Sequence, residues 1–594
     1  METDYWSKVL GRRISRRRGL AATVAGAASA AFLAACGGDG GKPKEKFDKT
    51  GLVTLPKDET KSAKAGGIMP DNHGSLNFSI DPVIAPSLTS FGMITPLYSQ
   101  LVKFGKAVGS KPTPAMITGD AMTSWEFSPD GLQATYKLRP SHKFDPRPPT
   151  NGRSMTTQDV KYSFDRSEKL SPFRSGLFRS AGESGPVGSL TTPDSQTVVI
   201  KLAEPYGAIN ELLSYVYLYV SPIEAEDKFD PKSQARGSGP FILENWQEGI
   251  VANFKKNPNW YEKDRPFLDG MDKVFINTQE RATLDAQFSA KRLWRYSPQP
   301  EDTLRLKKAN PELLMQQDLP NLGLGSYPLY VGTNFANEPR LRRAASMIIN
   351  RNDMIEAIFN TNVWTDSGLE VPLFWDGHLC SNGATWSDPK GTELGSGAKW
   401  FKYDPAEAKK LMEAAGYKGA EMPYVSRANF GPTNLQAVIS EMLKAGGFNV
   451  KDQVVQADEW RRLKTSFVVE REGFFWGTAN SFNDDDYLVV KYTPTGRDHA
   501  SGKEIPGITS AVLTLRKEFD ANKKVKMLKD VQKELAELMP DIPIVSTQPT
   551  LGFDLTWPWL RNTAWIAPGF NYSSSSARPY VDFYVDAELK AKYG

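Results

Sequence analysis

Strand and helix signals alternate from about residue 66 to the C-terminus, and this alternation constrains the fold more than any other feature. Thr197-Val198-Val199-Ile200-Lys201-Leu202 is a β-rich run after the turn-like Pro193-Asp194-Ser195. Asp404-Pro405-Ala406-Glu407 opens a helix: Asp404 can accept from free N–H groups, Pro405 suits the first helical position, and Glu407 completes a capping box. Ala408, Leu411, Met412 and Ala415 then share a face, and Gly416 stops the helix. Thr156 to Asp159 is a similar start, with Val160 and Phe164 one turn apart. A chain of 594 residues with this mixture predicts an α/β protein of more than one lobe.

The N-terminus reads differently. Lys8, Arg12, Arg13, Arg16, Arg17 and Arg18 precede an uncharged stretch from Gly19 to Ala35, the layout of an export signal. That stretch is shorter than the ~20 apolar residues a helix needs to span a bilayer. Leu33-Ala34-Ala35-Cys36 resembles the lipobox of bacterial lipoproteins, in which the cysteine is acylated and becomes the new N-terminus. Ser15-Arg16-Arg17 with Leu20 resembles a twin-arginine signal, although Gly19 stands where an aromatic is usual, so both export routes stay open. The expected address is extracytoplasmic: anchored through Cys36 on the outer face of the cytoplasmic membrane, or periplasmic.

Charge and cysteine content narrow the field. The formal charge of +4 resides in the first 35 residues, which carry six Lys or Arg and two Asp or Glu; the remainder is near neutral. No phosphate-tracking surface is implied, and nucleic acid is not an expected partner. Beyond Cys36 only Cys380 remains, so lipidation would leave no intramolecular disulfide; Cys380 reads as a buried apolar residue. Residues 37 to about 65 are rich in Gly, Lys, Asp, Thr and Ser and read as a flexible tether. Gly37 to Lys42 lacks the spacing of a phosphate loop.

A series of motifs then occurs in order. Asp81-Pro82 is followed by Leu97-Tyr98-Ser99-Gln100-Leu101-Val102, then Ser124-Trp125-Glu126, Ser128-Pro129-Asp130-Gly131, Thr135 to Arg139 and Lys143-Phe144. Met155 to Ser163, Gly237-Ser238-Gly239-Pro240-Phe241 and Asn257 to Tyr261 follow. Arg340-Leu341-Arg342-Arg343-Ala344 through Asn350-Arg351, and the helix from Asp404 ending at Ala415-Gly416-Tyr417, complete the set. Together they resemble the large extracytoplasmic solute-binding proteins of ABC importers, family 5, which includes oligopeptide-, dipeptide- and nickel-binding proteins. The resemblance implies a two-lobed periplasmic-binding-protein-like α/β fold of the large, three-subdomain type, with a ligand cleft between lobes. Residues 66–330 with 550–594 would form one lobe and 331–549 the other. Most of the motif residues read as scaffold: Trp125, Phe144 and Phe164 as core, Gly237 and Gly239 as turn geometry, and Arg340, Arg342 and Arg343 as a solvated or salt-bridged face.

In peptide-binding members of that family an Asp three residues after a tryptophan holds the peptide's amino group. The matching segment is Phe474-Phe475-Trp476-Gly477-Thr478-Ala479-Asn480, where Ala479 occupies that position and cannot neutralise an ammonium. Asp484, Asp485 and Asp486 follow; either one of them takes over the role or the triplet is a solvated turn or helix start. Glu459-Trp460 matches a position where an aromatic lines the pocket. Trp460, Trp476, Ala479, Asn480 and the three aspartates are the candidate ligand-binding residues, with Trp460 and Trp476 either stacking surfaces or plain core. The implied partners are a small solute, nominally a peptide, the permease and ATPase subunits of an importer, and the membrane through Cys36; the chain is expected to be a monomer. No cofactor is implied, and ATP would be hydrolysed by the partner. An oligosaccharide or another non-peptide solute is the alternative cargo.

A secreted, lipid-anchored hydrolase is the rival class. No Gly-x-Ser-x-Gly elbow or His-Glu-x-x-His helix is present, and the four histidines, His73, His142, His378 and His499, lack metal-ligand spacing. Paired carboxylates for glycoside hydrolysis stay open, because their separation is set by the fold. A sensor independent of transport could use the same scaffold.

Overall fold

The computed structural model describes residue 48 and residues 50–594, apart from 75–78, 85–89, 106, 109–116, 182–184, 215–217, 318–324, 337, 380–384, 429–430, 433, 481–482, 495, 497–498, 500–502, 547–548, 564 and 567–577. The segment expected to be an export signal, Cys36 and Cys380 therefore lie outside the described residues. Two compact units emerge from the contacts: residues 52–322 with 516–521 and 552–594, and residues up to 51 with 323–515 and 522–551. The strand Gly325–Val331 belongs whole to the second unit, so a divide at 330 would cut through it. Among the described residues, no helix is long and apolar enough to cross a membrane.

The first unit is built on two four-stranded sheets. In one, Ile68–Asn72 runs parallel to Gly270–Val274, and Val251–Lys256 and Phe241–Gln247 continue it antiparallel. The other is antiparallel, in the order Met122–Phe127, Gln133–Leu138, Thr197–Leu202, Val187–Thr191. The β-rich run at 197 is thus a strand, with Val198 and Ile200 buried as period-two alternation requires. The helix Thr157–Leu170 starts where its cap predicts: Asp159 Oδ2 accepts from the Thr156 amide at 2.8 Å, and Val160 and Phe164 are buried. Phe144 is core, whereas Trp125 is only half-buried on its strand. Gly237 is required by close approach, since a Cβ there would lie 2.0 Å from the Leu97 carbonyl oxygen.

Part of the expected tether is docked. Arg561 pairs with Glu59 at 2.5 Å, the Glu59 amide donates to Asn562 Oδ1 at 2.8 Å, and the Thr54 amide donates to the Met315 carbonyl at 2.7 Å. Residues 52–65 therefore lie against the first unit, held by ion pairing that composition alone does not reveal.

The second unit is organised by a six-stranded mixed sheet in the order Val450–Val455, Met422–Arg427, Phe474–Trp476, Gly325–Val331, Ala479–Asn480, with Ile542–Ser546 also paired to Gly325–Val331. The helix Pro405–Ala414 has Asp404 Oδ1 accepting from the Glu407 amide at 3.0 Å, but the Glu407 carboxylate reaches Lys410 at 3.1 Å instead of closing a capping box. On the helix Pro339–Ile348, Arg340 pairs with Glu338 as expected of a salt-bridged face. Arg343 likewise pairs with the Glu537 carboxylate at 3.1 Å and also donates to the Glu537 carbonyl, whereas Arg342 donates to the carbonyls of Met539, Phe335 and Leu538. The carbonyls of Glu537, Leu538 and Met539 that these guanidinium groups satisfy are those left open where the helix Ala521–Leu538 ends.

Candidate ligand-binding site

The short strand Phe474–Trp476 is hydrogen-bonded on both sides, antiparallel to Gly325–Val331 and parallel to Met422–Arg427. Alternation sends Phe474 and Trp476 into one apolar cluster and Phe475 into another. Trp476 is fully buried and stacks on Tyr327, with ring centroids 5.0 Å apart and planes 12° from parallel. Trp460 is 5% exposed, stacks on Phe475 at 5.5 Å, and donates its indole N–H to the Trp476 carbonyl at 3.0 Å. Arg427 and Lys464 place cations 5.7 and 5.4 Å from the Trp460 ring centre. Both tryptophans are thus packed on aromatics of their own unit. Half-buried Tyr327, which sequence reasoning passed over, is the partner in the Trp476 stack that retains surface. Gly431, at φ +77°, fits beside the pair: a Cβ there would meet the Trp476 ring at 3.3 Å and Tyr327 at 3.5 Å.

After Trp476 the chain turns through Gly477, where a Cβ would lie 2.2 Å from the Tyr330 ring. Ala479 then pairs with Ser326 on the neighbouring strand and is fully buried in a cluster with Tyr330, Tyr487 and Leu488. The methyl group suits these apolar surroundings; a carboxylate here would be desolvated. The Asn480 backbone continues the pairing, opposite Gly325.

The three aspartates open the helix Asp484–Tyr492, with Asn483 Oδ1 accepting from the Asp486 amide at 2.8 Å. Negative charge in a first helical turn is favourable. The helix start is as expected, but the triplet is not solvated: Asp485 and Asp486 are buried. Lys524 Nζ lies 2.7 Å from Asp485 Oδ2, with side-chain exposures of 5% and 1%. Thr385 donates to Asp484 Oδ2 at 2.5 Å. Burial pushes the Asp484 carboxyl up to about 6, opposed by the Thr385 hydrogen bond and aided by the Asp485 charge.

The same helix carries Lys491 into a buried polar cluster that no sequence spacing announced. Lys491 Nζ lies 2.8 Å from Asp541 Oδ2, both side chains being fully buried. Tyr492 donates to Asp541 Oδ1 at 3.0 Å, and His378 Nδ1 lies 2.9 Å from Tyr492 Oη. Burial works against the Asp541 charge, yet Lys491 and His378 hold its carboxyl well below the usual range. Burial pushes His378 down, so its ring is neutral near pH 7. His378 Nε2 has no hydrogen-bond partner among the described residues. His142 is likewise internal: Nε2 lies 3.1 Å from Ser99 Oγ, and burial pushes it down to about 4. Among the described residues, no group of three or more His, Cys, Asp or Glu side chains converges as metal ligands do. What the arrangement offers is an aromatic stack with Gly431 packed close beside it, and carboxylates at a helix start.

A family model described as "Bacterial extracellular solute-binding proteins, family 5 Middle" matches residues 117–498. The chain belongs to this family. Among its relatives, Di/tripeptide-binding protein 3 of Pseudomonas aeruginosa (strain UCBPP-PA14) is 24% identical over 480 residues, covering 75% of this chain and 83% of that protein. Di/tripeptide-binding protein 2 of the same strain is 23% identical over 535 residues, covering 83% and 90%. Of solved structures, a Helicobacter pylori periplasmic binding protein in complex with the peptide STSA superposes with a TM-score of 0.65 at 18% identity, covering 89% of this chain and all (100%) of that one. The binding protein AgaA in complex with agropinic acid, from A. tumefacien R10, superposes at 0.62 with 21% identity, covering 88% and 99%. At these identities the structural likeness establishes the family 5 periplasmic-binding fold, in agreement with the α/β architecture read from sequence.

Proposed function

We propose that this protein is a lipid-anchored receptor that captures a short peptide outside the cytoplasm and delivers it to an ABC importer without altering it chemically. The observation that carries the reading is the likeness to di/tripeptide-binding proteins over most of both chains. Cys36, at the end of the basic and apolar leader, is the proposed acylation site. Two or three acyl chains anchor firmly where one is marginal. Permease and ATPase subunits are the proposed partners, and the receptor acts as a monomer.

Within the second unit, the proposed ligand-facing group is the Tyr327–Trp476 stack with the backbone of Ala479 and Asn480, and Asp484 at the helix start. Trp460 acts from behind, fixing the Trp476 backbone through its indole N–H. Asp485 and Asp486 form the helix start beside Asp484, Asp485 being bound to Lys524.

One observation favours a second reading. Ala479 supplies no charge for a peptide amine, and AgaA, a structural neighbour, holds agropinic acid. A thermal-shift screen across dipeptides, tripeptides, opines, oligosaccharides and metal chelates separates the two, because a ligand that binds only the folded state raises its melting point. Peptides are expected to raise it. If they leave it unmoved while another class raises it, the peptide reading is wrong. Replacing Cys36 by Ser should release the protein from the membrane fraction; retention would exclude the lipid anchor.

A further inference from the structure

The chain meets the folded body before residue 52. Asp48 forms an antiparallel bridge with Leu369, which is fully buried in the second unit. Asp48 Oδ1 accepts from the Thr50 amide at 2.7 Å, the Thr50 hydroxyl at 2.5 Å and the Gly51 amide at 3.0 Å. These bonds close a turn that Gly51 completes at φ +70°. Gly368 lies against the turn, since a Cβ there would be 3.2 Å from Thr50 Cγ2. From Leu52 the segment belongs to the first unit. The Thr54 amide donates to the Met315 carbonyl on the strand Leu314–Gln317, which lies at the edge of its three-stranded sheet, so the segment covers backbone groups an edge leaves open. Arg561 Nε and Nη2 hold the Glu59 carboxylate at 2.9 and 2.5 Å, a bidentate pair. Thr60–Ser62 makes a short 3-10 turn, and the Gly66 amide donates to the Phe267 carbonyl at 2.8 Å. The segment from Asp48 to Gly66 is thus fastened at both ends, first to the second unit and then to the first.

We propose that residues 37–47 alone link the lipid anchor to the body, and that the anchor holds the second unit to the membrane, through the attachment of Asp48 at Leu369. The inference rests on acylation of Cys36, as proposed above. Twelve residue steps separate Cys36 from Asp48. At about 3.3–3.6 Å per step they span at most about 43 Å, whereas a link running to residue 65 would reach about 100 Å. The unit that carries Tyr327 and Trp476 is therefore the one kept close to the lipid surface, on which an importer's permease opens.

Limited trypsin digestion of the full-length protein in isolated membranes, with N-terminal sequencing of the released body, tests it. Lys44 and Lys46 fall in the proposed link, Lys49 in the turn, and Lys57, Lys61 and Lys64 are exposed side chains of the docked stretch. Trypsin needs the backbone to open locally, so docking protects a lysine even where its side chain is exposed. The released body should begin at Glu45 or Phe47. A body beginning at Asp58, Ser62 or Ala65 would overturn the docked stretch, and one beginning at Thr50 would overturn the attachment to the second unit. Asp48→Ala removes the acceptor that closes the turn, so cleavage after Lys49 should rise several-fold; an unchanged rate would also overturn that attachment. Failure of the acylation reading shows separately: the protein would be soluble before digestion, and the same cleavage positions would still locate where the chain joins the body.

Discussion

Replacing Lys524 by Met tests whether the aspartates after Trp476 are structural or free to meet a ligand. Lys524 and Asp485 lie 2.7 Å apart with side-chain exposures of 5% and 1%, so solvent screens their attraction very little. The methionine keeps most of the aliphatic bulk and leaves Asp485 as a buried charge without its cation. Breaking such a pair costs about 3–5 kcal/mol, far above the ~1 kcal/mol typical of exposed pairs. Removing both charges with Asp485→Leu/Lys524→Met should return much of that loss, giving a coupling of about 2 kcal/mol or more. The chain has two units, so a global unfolding curve blurs the effect. Hydrogen exchange of second-unit peptides, followed through urea unfolding, reads the loss where it occurs. A cost below about 1 kcal/mol for Lys524→Met, or additive single effects, would refute the structural assignment of Asp485.

Two further outcomes follow from the geometry. Gly477→Ala places a Cβ 2.2 Å from the Tyr330 ring and should destabilise the second unit by about 1–3 kcal/mol in the same exchange measurement; a neutral result would show that this turn has room. In the first unit, Asp120 and Arg578 are fully buried and 2.8 Å apart. Although burial opposes it, Arg578 holds the Asp120 carboxyl well below the usual range. A lowered native value contributes stability above the unfolded pKa and loses it as pH falls below about 4. Exchange protection of first-unit strands should therefore fall between pH 4 and 2, and the fall should shrink in Asp120→Asn.

What could be read from the sequence was set by how local each cause is. The helices after Thr156 and Asp404 and the strand Thr197–Leu202 are fixed by neighbours within a few residues, and all three are where the residues place them. The motif order carried the family because it spans most of the chain. The candidate site was legible as a segment and not as a set of contacts. Trp460 and Trp476 are adjacent in space because their strand and helix pack together, and Tyr327 joins them from a strand far earlier in the chain. Nothing in the run Asp484-Asp485-Asp486 announces Lys524 as a partner, nor does any spacing bring His378, Lys491 and Asp541 together. The docked part of the tether escaped for the same reason, since Glu59 is held by Arg561, at the other end of the chain.

Titration calorimetry of the full-length protein against a panel of di- and tripeptides, with mass spectrometry of the recovered ligand, tests the central claim most directly. The account predicts saturable one-to-one binding of at least one short peptide, recovered intact. Binding confined to a non-peptide solute would contradict the peptide assignment, and recovery of cleaved product would contradict a receptor that carries its cargo unchanged.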